Sequence, residues 1–123
     1  MPAINKKTIL LIEDDKNTCE VYSDELIEKG YNVELANDGK HAIELLNTIN
    51  PDLVVLDVKL PILEGREVLE NIRKRKIKLP VIVCTAFPLK DEEIKMFENI
   101  SDWFVTKPID LDILISKIKS FIS

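Results

Sequence analysis

Three apolar runs of this chain end in residues that could take part in chemistry. One run leads directly into Asp57, another into Glu13, Asp14 and Asp15, and a third into Thr85. A polar side chain at the end of a buried strand lies where open α/β sheets place their binding sites. Because parallel strands end at the same edge of a sheet, we expect these groups to converge on one site.

The converging acids predict a cation site. Two unit charges about 4 Å apart interact by roughly 4 kcal/mol at an effective dielectric constant of about 20. Glu13, Asp14 and Asp57 would therefore need protons, a cationic side chain or a metal ion beside them. Oxygen ligands without His or Cys favour Mg²⁺, with Mn²⁺ as the alternative. Lys107 adds a positive charge and Thr85 a hydroxyl, so the set suits phosphoryl transfer onto the Asp57 carboxylate.

The elements that must position these residues alternate along the chain. The apolar runs predict strands at Thr8–Ile12, Asn32–Ala36, Asp52–Asp57, Pro80–Thr85 and Asp102–Thr106. Helical spacing predicts helices at Lys16–Lys29, Gly39–Ile49, Glu64–Lys76, Lys90–Glu98 and Ile109–Ile122. Three strands lack alternation of apolar and polar residues, as expected when helices cover both faces of a parallel sheet. Five such units predict a doubly wound α/β fold, a (βα)5 sandwich with a five-stranded parallel sheet.

Several residues indicate where the helices begin and end. Gly30 suits the position that follows the first helix. Asn50 and Pro51 are expected to stop the second helix. Asp110 can cap the last helix or support it electrostatically.

Length and composition agree with one globular domain. The chain has 123 residues, of which 46% are hydrophobic and 32% charged, and its net charge is −5. The basic run Arg73–Lys76 is interpreted as the solvated end of a helix, so we expect no direct nucleic-acid binding. No apolar stretch approaches the roughly 20 residues that span a bilayer, and the N-terminus lacks the apolar region of a signal peptide. With Cys19 and Cys84 in apolar patterns, we expect a cytoplasmic protein with reduced thiols and no membrane insertion.

Short motifs along nearly the whole chain resemble those of receiver domains of two-component response regulators. The matching segments are 12–15 (IEDD), 56–61 (LDVKLP), 64–65 (EG), 85–86 (TA) and 104–108 (FVTKP). Their order and spacing are more specific than any single acidic motif. Residues 1–123 are therefore interpreted as one receiver domain. The resemblance to chemotaxis receivers implies the strand order 2-1-3-4-5, with helices on both faces of the sheet.

The resemblance also implies roles for the acidic residues. Asp57 would accept a phosphoryl group from a phosphohistidine of a histidine kinase or a histidine phosphotransfer protein. Asp14 and Asp57 would bind Mg²⁺ directly, together with the main-chain carbonyl of Lys59, and Glu13 would act through water. Asp15 is a possible substitute for one of the acids after the first strand, but the strand register favours Glu13 and Asp14 as the site pair.

A conformational switch is implied as well. Thr85 would shift towards the phosphoryl group, and the aromatic Phe104 would then turn inward. The Lys107-Pro108 peptide bond would be cis, which aims the lysine at the site. The signal would pass to a downstream protein target through the face formed by the fourth helix, the fifth strand and the fifth helix.

Several further residues are assigned alternative roles. Lys59 and Phe87 would tune the phosphoryl lifetime, or would simply point into solvent. Trp103 would pack in the core or cover the fourth helix, which we favour, or would anchor a partner together with Phe87 and Phe97. Phe97 by itself is interpreted as a core residue.

Other classes of protein share parts of this pattern. A haloacid-dehalogenase-like phosphatase would carry an aspartate where this chain has Lys59. A flavodoxin-like cofactor binder would need a phosphate loop, yet the acids at residues 13–15 would repel a phosphate without a metal. No GxxxxGK[ST] segment of a nucleotide hydrolase is present. A phosphorylation-independent interaction module stays open, as does the choice between a complete single-domain regulator and a receiver taken from a longer protein.

Overall fold

The computed structural model describes residues 6–58, 62–75, 78–85 and 89–122. The five strands are β1 Thr8–Ile12, β2 Asn32–Ala36, β3 Leu53–Val58, β4 Val81–Thr85 and β5 Trp103–Thr106. The five helices are α1 Lys16–Glu28, α2 Gly39–Leu46, α3 Ile62–Arg75, α4 Asp91–Ile100 and α5 Leu111–Ile122. All ten predicted elements are therefore confirmed. The largest difference lies at the end of α2, where Asn47 caps the helix before Ile49. Differences of two residues occur at the start of α3, the end of α4 and the start of α5.

The strands form one parallel sheet in the order β2-β1-β3-β4-β5. This confirms the predicted doubly wound topology. The apolar residues of β1 and β4 are buried along nearly their whole length, because helices cover the sheet on both faces. The carboxyl ends of β1, β3, β4 and β5 therefore share one edge, to which they bring the predicted site residues.

The core consists of two apolar layers, one on each face of the sheet. The first layer joins one face to α2, α3 and α4, and its largest fully buried side chain is Phe97. The second layer joins the other face to α1 and α5, and it includes Leu26, Leu114 and Ile118. Cys19 and Cys84 are buried free thiols, as predicted. Within the described part of the chain, no helix combines the length and the apolar character needed to cross a bilayer.

Polar side chains and one glycine fix the helix ends. The Asp15 carboxylate accepts a hydrogen bond from the backbone N–H of Thr18 at 3.1 Å, which caps α1. Asp110 accepts one from the backbone N–H of Asp112 at 2.8 Å at the start of α5. Gly30 follows α1 with φ of 100°, a conformation that glycine adopts at low cost. The predicted roles of Gly30 and Asp110 are confirmed.

Arg73 forms a polar cluster at the sheet edge opposite the site. Its guanidinium donates to the carbonyls of Ile100 (2.9 Å) and Leu79 (2.8 Å) and to Asp102 Oδ2 (2.8 Å). The same Asp102 oxygen accepts the backbone N–H of Val81 at 2.7 Å. The following two residues of the basic run, 74 and 75, are exposed as predicted. Arg73 itself is only 23% exposed, so interpreting the whole run as solvated was wrong at this residue.

Candidate functional site

Asp57 lies near the end of β3, with its side chain 3% exposed. The Lys107 ammonium contacts Asp57 Oδ2. The other oxygen, Oδ1, is buried and has no hydrogen-bond partner among the described residues. Buried polar atoms almost always have partners, so this oxygen marks a position where a ligand or a reacting group would be accommodated.

Glu13 is the second buried carboxylate of the site, at 1% exposure. Its backbone N–H donates to the carbonyl of Ala36 at 3.0 Å, which fixes the end of β1. The side chain accepts the backbone N–H of Asp15 at 3.3 Å and the Lys107 ammonium at 3.2 Å. The structure therefore brings Glu13, Asp57 and Lys107 together at the predicted sheet edge, where a single ammonium bridges the two buried carboxylates.

A backbone hydrogen bond to β4 holds Lys107 in place just after the end of β5. Its N–H donates to the carbonyl of Thr85 at 2.6 Å, and the Lys107-Pro108 peptide bond is cis, as predicted. Thr85 is 1% exposed at the end of β4, where it is paired with Thr106 of β5. The structure thus brings Thr85 to the same sheet edge as Lys107.

The adjacent acids Asp14 and Asp15 differ in their surroundings. Asp14 is exposed. The Asp15 carboxylate accepts from both the N–H (3.1 Å) and the hydroxyl (2.5 Å) of Thr18, and its role as the cap of α1 accounts for it. This agrees with the choice of Glu13 and Asp14 over Asp15 as the candidate ligand pair.

The donor set fits a hard divalent cation only in part. The unpartnered Asp57 Oδ1 and the buried Glu13 carboxylate offer the oxygen ligands that Mg²⁺ prefers. Across residues 6–58, 62–75, 78–85 and 89–122, however, no three His, Cys, Asp or Glu side chains are grouped to hold a metal ion. Lys107 instead places one positive charge between the two buried carboxylates. Lys59, whose carbonyl was predicted to complete the set, lies outside the described residues, as does Phe87.

Two neutral side chains border the charged groups. Burial, aided by the Glu13 carboxylate, raises the pKa of the Cys84 thiol to about 12. Burial also raises the pKa of Tyr22, with smaller contributions from Cys84 and Glu13. Both groups keep their protons at neutral pH and add no further negative charge.

Tyr22 is a neighbour of the site that sequence reasoning missed. Its ring centroid lies 5.9 Å from the Lys107 ammonium. Tyr22 also falls between the buried residues Cys19 and Leu26 at helical spacing. That spacing could have placed it on the inner side of α1, although not beside a particular lysine.

The aromatic residues of β5 pack into different layers. Phe104 is partly buried and stacks on Phe97 of α4, with ring centroids 6.1 Å apart and an interplanar angle of 12°. Trp103 packs against the α1 and α5 layer, where the Lys117 ammonium lies 5.3 Å from its ring centroid. The core prediction for Phe97 is confirmed. Packing is also confirmed for Trp103, but in the layer that contains α5 rather than over the fourth helix.

Comparison with known proteins identifies the family. A profile of the response regulator receiver domain matches residues 9–119. This chain belongs to that family. The receiver is 35% identical over 114 residues to response regulator MprA of Mycolicibacterium vanbaalenii, covering 93% of this chain and 49% of that protein. It is 34% identical over 111 residues to transcriptional regulatory protein DltR of Streptococcus agalactiae, covering 90% of this chain and 50% of that protein. The receiver thus spans about half the length of these curated relatives.

Solved structures show the same fold. The receiver domain of Francisella response regulator 1452 matches with a TM-score of 0.82 and 33% identity, covering 94% of this chain and 96% of that one. A CheY-like receiver from Methanospirillum hungatei matches with a TM-score of 0.87 and 28% identity, covering 94% and 93%. TrrA from Thermotoga maritima, solved in complex with Mg²⁺ and BeF, matches with a TM-score of 0.80 and 33% identity, covering 94% and 99%.

Family membership decides the general class of function. Response regulator receivers are phosphoacceptor signalling domains that interact with histidine kinases, and they do not turn over external substrates. The phosphatase and flavodoxin-like alternatives are therefore set aside.

Proposed function

We propose that this receiver takes a phosphoryl group onto Asp57 from a histidine kinase or a histidine phosphotransfer protein, in a Mg²⁺-dependent reaction. Asp57 Oδ1 carries the proposal, because it is a buried carboxylate oxygen without a partner among the described residues. Its sister oxygen is in contact with the Lys107 ammonium. Lys107 thus holds the Asp57 carboxylate through Oδ2, and Oδ1 stays available to attack a phosphoryl group.

The reaction would proceed at the carboxylate itself. An Asp57 oxygen attacks phosphorus, the bond between phosphorus and the donor's imidazole nitrogen breaks, and the imidazole leaves with that electron pair. Negative charge then gathers on the phosphoryl oxygens, where the ammonium of Lys107 can stabilise it. Because Lys107 is only 16% exposed, water screens its charge less than it would at the surface.

Mg²⁺ would be held by Asp14, Asp57 and the main-chain carbonyl of Lys59, with Glu13 acting through water. When bound, the ion would neutralise charge on the phosphoryl oxygens. TrrA, a structure of the same fold, was solved in complex with Mg²⁺ and BeF, which supports the choice of Mg²⁺ by analogy. Mn²⁺ would satisfy the same oxygen ligands.

The signal would leave the site through Thr85 and Phe104. Thr85 is buried beside Lys107, so its movement towards a phosphoryl group would disturb the packing of β4 against β5. Phe104 lies on β5 and stacks on Phe97 of α4. A change there would alter the face formed by α4, β5 and α5, where we place the downstream protein target. We also propose a cytoplasmic location and no direct nucleic-acid contact.

The test is intact-mass analysis after incubation with acetyl phosphate and Mg²⁺. The native chain should gain one labile phosphoryl group, and Asp57→Asn should gain none while remaining folded. Asp24→Asn, which changes an exposed aspartate of α1, is the matched control and should label like the native chain. Equal labelling of Asp57→Asn would remove Asp57 as the acceptor. A native chain that folds and binds Mg²⁺ but stays unlabelled would favour a kinase-restricted receiver or the phosphorylation-independent interaction module.

A further inference from the structure

The ring of Tyr22 contacts the lysine that bridges the two buried carboxylates. We propose that Tyr22 is a positioning residue for phosphoryl transfer, because its ring keeps the Lys107 ammonium within reach of Asp57. The inference rests on the proposed roles of Asp57 and Lys107, and it adds a residue of α1 to the working parts of the site.

Such a contact matters because the Lys107 side chain could otherwise occupy a second position, away from Asp57. A lysine is a compact charge on a flexible four-carbon stem. A cleft of about 510 Å³ opens beside it, lined by residues of α1 such as Asn17 and Val21 and by Ile109 after β5. Lys107 and Tyr22 line the same cleft. An ammonium that moved into this cleft would leave Asp57 without its counter-charge.

The aromatic ring can hold the ammonium without neutralising it. The face of a tyrosine ring carries partial negative charge, which attracts a cation within about 6 Å of the centroid, and the observed distance is 5.9 Å. Glu13 also attracts Lys107, at 3.2 Å, but a full negative charge competes with an incoming phosphoryl group. Tyr22 therefore restricts where the ammonium lies while leaving its charge for the phosphoryl oxygens.

Simple core packing is the competing explanation for Tyr22, and two substitutions separate the two roles. Tyr22→Leu keeps apolar bulk but removes the aromatic face, and Tyr22→Phe keeps that face. Tyr31→Leu is the matched control, because Tyr31 is the other tyrosine of the same apolar layer and is 5% exposed.

The first measurement is NMR of the unphosphorylated chain. The ε-methylene protons of Lys107 should be shifted upfield by the ring current of Tyr22. Tyr22→Leu should abolish that shift, and Tyr22→Phe should retain it. Lys107 protons at ordinary shifts in the native chain would overturn the inference even if Tyr22→Leu does not fold.

The second measurement is the rate of phosphorylation by acetyl phosphate and Mg²⁺. A cation–π contact of ordinary strength corresponds to a roughly two- to fivefold loss of rate in Tyr22→Leu, restored in Tyr22→Phe and absent in Tyr31→Leu. In a Lys107→Ala background, Tyr22→Leu should cause no further loss.

The outcomes distinguish this inference from the proposed function. An equal loss from Tyr22→Leu with and without Lys107 would show that Tyr22 acts through packing alone. A native rate in Tyr22→Leu would likewise overturn its positioning role while leaving Asp57 as the acceptor. A native chain that is labelled neither by acetyl phosphate nor by a phosphorylated histidine phosphotransfer protein would instead overturn the proposed function, and the positioning role in phosphoryl transfer with it.

Discussion

Replacing Arg73 by methionine should destabilise the fold substantially. The Arg73 side chain joins the end of α3 to the loop before β4 and to the connection between α4 and β5. Methionine keeps much of the apolar stem but removes donors to two backbone carbonyls and to Asp102. Each carbonyl bond involves a charged donor and contributes about 1.5 kcal/mol at the low end of the usual range. The ion pair between Arg73 and Asp102 contributes little to stability, since the Asp102 side chain is 38% exposed. With allowance for the partial exposure of Arg73, the expected loss is about 2 to 3 kcal/mol.

Urea unfolding followed by far-UV circular dichroism would measure this loss. Using roughly 2.1 cal/mol/K of unfolding entropy per residue, the 123-residue chain should also melt about 8 to 12 °C lower. Lys74→Met is the matched control, because Lys74 is exposed on the same turn, and it should change stability by no more than about 0.5 kcal/mol. An Arg73→Met variant as stable as Lys74→Met would refute the argument from these hydrogen bonds.

Two further predictions concern the charged site and its neighbour. Beryllium fluoride with Mg²⁺ should change the Trp103 fluorescence of the native chain. Lys107→Ala should retain Mg²⁺ binding but weaken that change, because it removes the ammonium proposed to contact the phosphoryl oxygens. An unchanged response would contradict that contact. The free energy of unfolding should fall by roughly 1 kcal/mol between pH 9 and pH 10. The Cys84 thiol of the folded chain, with a pKa of about 12, keeps its proton in this range, whereas the thiol of the unfolded chain loses it above its ordinary pKa of 9.0. This stabilisation is complete below about pH 9 and is lost towards pH 12. Cys84→Ala should flatten the decline in pH-dependent urea unfolding, and an equally steep decline in that variant would exclude the thiol as its cause.

The strands and the residues at their ends were predictable because they follow from local pattern and one rule of topology. Buried parallel strands give continuous apolar runs, and their shared edge brings Glu13, Asp57 and Thr85 together without any knowledge of side-chain geometry. The same reasoning placed Lys107, which follows the fifth strand, at that edge, and it required only the order of elements along the chain. Motif resemblance added the cis bond before Pro108.

The contacts that could not be predicted depend on how helices pack against the sheet. Tyr22 and Arg73 both looked like ordinary helical residues. Their partners lie far away in sequence, at Lys107 and at Asp102, so no local pattern identifies them. The exposure of Asp14 likewise depends on how the chain turns from β1 into α1. The suggested effects of Lys59 and Phe87 on phosphoryl lifetime stay predictions.

Because Lys107 bridges the two buried carboxylates, the stability of the fold should not depend on bound divalent ions. Dialysis or a chelator can remove a metal ion, but neither can remove an ammonium that is tethered to the chain. The two buried carboxylates of the resting receiver therefore retain a positive neighbour in metal-poor surroundings. If phosphoryl transfer requires Mg²⁺ as proposed, depletion of divalent ions should stop the transfer while leaving the protein folded, and transfer should resume as soon as the ions return.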